Sequence, residues 1–130
     1  MFVGRATAET TPGWSDWAII SISEPDSASG EAKLMGEWHS IHRLDFHDIE
    51  TEIPDKNYLL MTQSQAQEIV AFVRNAAPDV EGIVVHCRAG ISRSAAVAKW
   101  IAEVYDLPFN HEYDRFNKHV YKRLVEANHY

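Results

Sequence analysis

The sequence predicts an α/β fold, a single layered domain over residues 1–130 whose central, mostly parallel sheet is flanked by helices. Three observations carry that expectation. Gly82-Ile83-Val84-Val85 is an unbroken apolar run, the kind of strand found in sheets covered on both faces. Helical periodicity surrounds it, with Ala66, Ile69, Val70, Val73 and Ala77 before and Ala95, Ala98, Ile101 and Ala102 after. Strand patterns alternating with helix patterns imply layers built on a parallel sheet. Composition agrees: 45% hydrophobic and 24% charged residues, with six Gly and five Pro, give one ordinary core and no low-complexity stretch.

In chain order, residues up to Gly13 show no sustained period and read as irregular. The β-branched run within Trp14–Ser23 is a strand candidate. Glu24-Pro25-Asp26-Ser27-Ala28-Ser29-Gly30 has turn composition and reads as a solvated connection. Ile41 to Ile49 alternates imperfectly, a second strand running out into a loop near Asp48. Glu50 to Tyr58 reads as loop around Pro54. Thr62 with Gln65, and Ser64 with Gln67, both have capping-box spacing, so either pair starts the next helix, which the segment around Pro78 ends. The alanine-rich helix after the central strand stops before Leu107-Pro108. Asn110 is expected to cap a further helical piece and Asn117 to cap another, with Phe116, Val120, Leu124 and Ala127 as its apolar stripe; that capping role is sufficient to explain Asn117.

The formal charge is −7, from 19 acidic and 12 basic residues, which argues against a nucleic-acid or anionic-membrane footprint. Attraction for a phosphorylated partner must then be local. One cysteine excludes an internal disulfide and a cysteine-based zinc cluster. No apolar run approaches membrane-spanning length, and the first residues lack a signal-peptide layout, so a cytoplasmic monomer is expected.

Chemistry concentrates in His86-Cys87-Arg88-Ala89-Gly90-Ile91-Ser92-Arg93-Ser94, between the central strand and the next helix. Strand, tight loop and helix start place backbone N–H groups at a positive helix N-terminus, an anion site and hence a phosphate-binding loop. A thiol held there is drawn toward thiolate. Arg93 offers a planar fork matching two phosphate oxygens. A nucleophile and an oxyanion clamp in one loop point to hydrolysis of phosphate esters.

The string HCRAGISRS resembles the signature of the cysteine-dependent protein tyrosine phosphatases, in a form similar to the dual-specificity branch. The resemblance covers roughly Leu44 to Val125 and is dense only in the loop. It implies catalysis through a cysteinyl-phosphate intermediate, without cofactor or metal. Cys87 is then the nucleophile, and Arg93 with the backbone of Arg88, Ala89, Gly90, Ile91 and Ser92 holds the phosphate. Ser94 donates to the sulfur, and His86 supports the loop without touching substrate. An aspartate upstream acts as general acid. Asp48 is favoured because Leu-x-Phe-x-Asp resembles the strand leading to that acid; Asp55 fits the family's usual spacing to cysteine, and Asp45 and Glu50 complete the candidates. His39, His42 and His47 beside Asp48 read as a polar rim in preference to a metal site. The expected substrate is phosphotyrosine in proteins, with phosphoserine and phosphothreonine open to a shallow pocket. The alternatives are a phosphatase of phosphoinositides, sugars or RNA 5′ ends, disfavoured by a loop without lysine, and a phosphate-binding module without catalysis, disfavoured by the presence of both Cys87 and Arg93.

Overall fold

A computed structural model describes residues 1–128. Strands β1 (Phe2–Gly4), β2 (Trp17–Ser23), β3 (Ser40–Asp45) and β4 (Gly82–Cys87) form one all-parallel sheet in the order β1-β4-β2-β3. The helices are α1 (Arg5–Thr10), α2 (Gln63–Ala76), α3 (Arg93–Val104) and α4 (Lys118–Ala127). The expected α/β class with a parallel sheet is what the chain adopts. β4, flanked by β1 and β2, buries Val84, Val85, His86 and Cys87. Alternation sends Ile20 and Ile22 of β2 toward α2, α3 and α4, where Ile69, Val73, Val97, Trp100, Val120 and Leu124 complete the main core.

Several local expectations are corrected. The first residues are not irregular: Phe2–Gly4 pairs with Val85–Cys87 and leads into α1, whose Ala8 is fully buried. β3 stops at Asp45, because the following residues leave the sheet while Phe46 N–H still donates to the Ser23 carbonyl. The first capping box is the one used: Thr62 Oγ1 accepts from Gln65 N–H, and Gln65 Oε1 accepts from Thr62 N–H, both at 3.0 Å. Ala76, not Ala77, closes the buried face of α2. The Asn110 segment is a turn without a helix; its side chain accepts from Glu112 N–H at 3.0 Å, an Asx turn. α3 begins at Arg93, ahead of the expected Ala95, and buries Ala96, Val97 and Trp100 as well as the predicted small residues, because α4 covers the side turned from the sheet.

Parallel strands end together. The carboxyl ends of β2, β3 and β4 release three loops at one sheet edge, beginning at Glu24, Phe46 and Arg88. In such sheets the ligand crevice lies there.

Candidate active site

A cleft of about 690 Å³ opens at that edge, lined by the loop residues Cys87, Arg88, Ala89, Ile91, Ser92 and Arg93, by Glu24, Asp48, Ile49 and Glu50, and by Asp114, Arg115, Phe116 and Lys118. A second concavity, about 720 Å³, lies along β1 and is walled mainly by apolar side chains such as Phe2, Ile83, Leu107 and Phe109. Chemistry selects the first.

Cys87 sits at the end of β4, 2% exposed. The loop curls back on its sulfur: Gly90 N–H donates to Sγ at 3.3 Å, and Ser94 Oγ lies 3.1 Å from it. Burial opposes ionisation of the thiol. The hydroxyl and N–H of Ser94, the N–H of Gly90 and the charge of Arg93 outweigh it and hold Cys87 below its ordinary 9.0. Gly90 has φ 73°, and a Cβ there would stand 2.3 Å from the Gly4 nitrogen, so only glycine lets the loop turn this tightly against the end of β1.

Arg93 is 3% exposed. Its Nη1 donates to the Phe46 carbonyl at 2.8 Å, and its Nη2 meets Glu24 Oε1 at 3.4 Å. Nε is buried and has no hydrogen-bond partner. The edge formed by Nε and Nη2 is the one that can grip two oxygens of a tetrahedral anion. Arg88 is the outer cation, exposed, with Nη1 3.6 Å from Glu24 Oε2. Ser92 occupies the N-cap position of α3 yet makes no side-chain cap; its hydroxyl donates to Asp48 Oδ1 at 2.8 Å. The N-terminus of α3 therefore has no side-chain cap, and its Ser94 N–H faces the Cys87 sulfur.

His86 lies one residue from the sulfur and 1% exposed, outside the cleft lining. Burial holds its ring below its ordinary value, so it is neutral. The Cys87 carbonyl, 3.3 Å from Nδ1, can only accept, which puts the ring hydrogen on Nδ1; Nε2 then accepts from the Ser21 hydroxyl at 2.6 Å. The histidine ties the end of β4 to β2.

Of the four acid candidates the structure brings Asp48 and Glu50 to the cleft. Glu50 accepts from the Lys118 N–H at the start of α4. Asp55 is exposed in a turn at φ 63°, a conformation aspartate tolerates, and Asp45 ends β3 with its side chain exposed; neither lines the cleft. The histidines are engaged separately: His39 with Ser40, His42 stacked on Phe72, and His47 Nδ1 accepting from Leu59 N–H at 2.8 Å.

Three participants escaped the sequence reading. Glu24, read as part of a solvated connection, is the counter-ion of both loop arginines. Its position directly after β2, at the carboxyl end of a strand, was the available signal. Asn117 does more than cap α4, reaching Asp48 and Ile49 as well. Tyr113 donates its hydroxyl to the Ile91 carbonyl and bears on Phe2, a brace that no local pattern announces.

No family profile and no curated protein matches this chain. Among solved structures it is similar to the human tyrosine phosphatase-like serine/threonine/tyrosine-interacting protein, with a TM-score of 0.55 and 19% identity over 88% of this chain and 78% of that one. At that identity the likeness is one of fold, and the fold is tyrosine-phosphatase-like. Among the described residues no helix is long and apolar enough to cross a membrane.

The state of Cys87 has a direct consequence. Thiolate is the form that peroxide attacks, so oxidation of Cys87 should be faster than that of an ordinary cysteine and should rise with pH about a midpoint below 9.0. With one cysteine in the chain, no internal disulfide can rescue the sulfenic acid. Brief exposure should block the thiol, inorganic phosphate should slow the loss, and added thiol should restore it only early. Mass spectrometry of the Cys87 peptide against time and pH checks this; an ordinary thiol profile would remove the activated cysteine.

Proposed function

We propose that the protein hydrolyses phosphate monoesters, with phosphotyrosine in proteins as the main substrate, through a cysteinyl-phosphate intermediate. The observation that carries the reading is the joint placement of an activated Cys87 and the buried, partly unpartnered Arg93 around one anion-sized loop.

In the first step the Cys87 thiolate attacks phosphorus in line, forming P–S as the P–O bond to the leaving group breaks. Arg93 and the loop N–H groups hold the equatorial oxygens through both steps, stabilising charge as it develops. Asp48, protonated, gives its proton to the departing oxygen. Water then attacks phosphorus, Asp48 takes its proton, and the thiolate leaves against the Ser94 hydroxyl, 3.1 Å from sulfur. Phe116, Ile49 and Ile91 line the cleft and provide apolar contact for an aryl ester.

The acid is tested by leaving-group dependence. Asp48→Asn should lower turnover of phenyl phosphate by about 100-fold or more, and of a nitrophenyl phosphate far less, because a nitrophenolate departs with little protonation. Should Asp55→Asn show this pattern and Asp48→Asn not, the proton donor is Asp55 and the assignment fails.

A further inference from the structure

Asn117 is 1% exposed and joins three separate pieces of the site. Its Nδ2 donates to Asp48 Oδ1 at 2.8 Å and to the Ile49 carbonyl at 3.1 Å. Its Oδ1 accepts from Val120 N–H at 3.0 Å, capping α4, and its own N–H donates to the Ser92 carbonyl at 3.0 Å. These partners fix the amide: turned over, its oxygen would face two acceptors and its NH₂ would face an N–H.

We infer that Asn117 is a positioning residue that decides which oxygen of Asp48 carries the transferable proton. The inference rests on Asp48 being the proton donor proposed above. Oδ1 accepts from both Ser92 Oγ and Asn117 Nδ2, each at 2.8 Å. A carboxyl oxygen with both lone-pair directions occupied by donors has no place for a hydrogen of its own. In the neutral acid Oδ1 is therefore the carbonyl oxygen, and the hydrogen sits on Oδ2. The bond to the Ile49 carbonyl fixes the backbone next to Asp48, and the bond to Ser92 fixes the phosphate loop, so donor and phosphate keep one spacing. Without Asn117 the carboxyl group can turn and offer the wrong oxygen. A capping role alone predicts none of this, since the cap uses only Oδ1.

Asn117→Ser separates the two roles. Serine caps a helix as well as asparagine does, but its hydroxyl is too short to reach Asp48. The variant should melt near the parent temperature. Turnover of phenyl phosphate should fall by about 10-fold or more, a part of what the acid itself supplies, while nitrophenyl phosphate is nearly unaffected. In the Asp48→Asn background the same substitution should add no further loss on phenyl phosphate. Asn117→Thr, a second short capping residue, replaces the serine variant if that one does not fold. Equal losses on both esters, or an undiminished loss in the Asp48→Asn background, would overturn the positioning role while leaving the acid assignment standing. An Asp48→Asn variant without leaving-group dependence would overturn both.

Discussion

Cys87→Ser should abolish turnover of an aryl phosphate, a loss on the order of 100,000-fold or more, as removal of a covalent nucleophile does elsewhere. The serine hydroxyl nearly matches the thiol in size, so Gly90 N–H and Ser94 Oγ keep an acceptor close to where Sγ stood. What changes is ionisation. The loop holds a thiol below its ordinary 9.0, but an alcohol starts far too high for the same contacts to ionise it. The cradle should survive: the variant should still bind a phosphate analogue such as vanadate or tungstate, read by calorimetry or by inhibition of thiol-independent protease cleavage at the loop. Loss of anion binding together with turnover would mean that the sulfur builds the cradle as well as attacking within it.

Arg93→Lys should be the second most damaging change, with turnover down about 1,000-fold. Charge is retained and geometry is lost. Arg93 reaches the Phe46 carbonyl through Nη1 and Glu24 through Nη2, which leaves the Nε edge for the phosphate. A lysine ammonium is a point charge on a flexible stem and cannot serve a carbonyl, a carboxylate and two phosphate oxygens in one plane. Both kcat and the affinity for phosphate should fall, because the guanidinium holds the anion in the ground state and in transfer. A lysine variant with near-parental kcat would show that charge alone suffices and that the buried fork has no catalytic part.

The loop was legible in the sequence because its physics is local. Gly82–Val85 reads as a covered strand, Ala95–Ile101 as a helix, and the residues between them must turn at a helix N-terminus whatever the rest of the chain does. The placement of Gly90 and Ser94 around the Cys87 sulfur follows from neighbours a few positions away, whereas the Arg93 fork is set by Phe46 and Glu24 from distant loops. Asp48 was narrower, since several acids lie on one stretch; only the fold puts Asp55 in an exposed turn and Asp48 against Ser92. Glu24 and Asn117 were illegible as participants for one reason. Each meets its partner across a sequence separation of 69, and at short range each is fully accounted for, one as turn composition and the other as a helix cap. β1 was missed because a strand of three residues is too short to display a period.

The central claim is that phosphate passes through the sulfur of Cys87. The most direct measurement is a rapid acid quench of the protein with isotopically labelled phenyl or nitrophenyl phosphate during steady turnover, followed by peptide mass spectrometry. The account predicts label on the peptide containing Cys87, bonded to sulfur, released by thiolysis, and absent from Cys87→Ser. Label on another residue, or turnover in Cys87→Ser at the parental rate without a trapped intermediate, would contradict it.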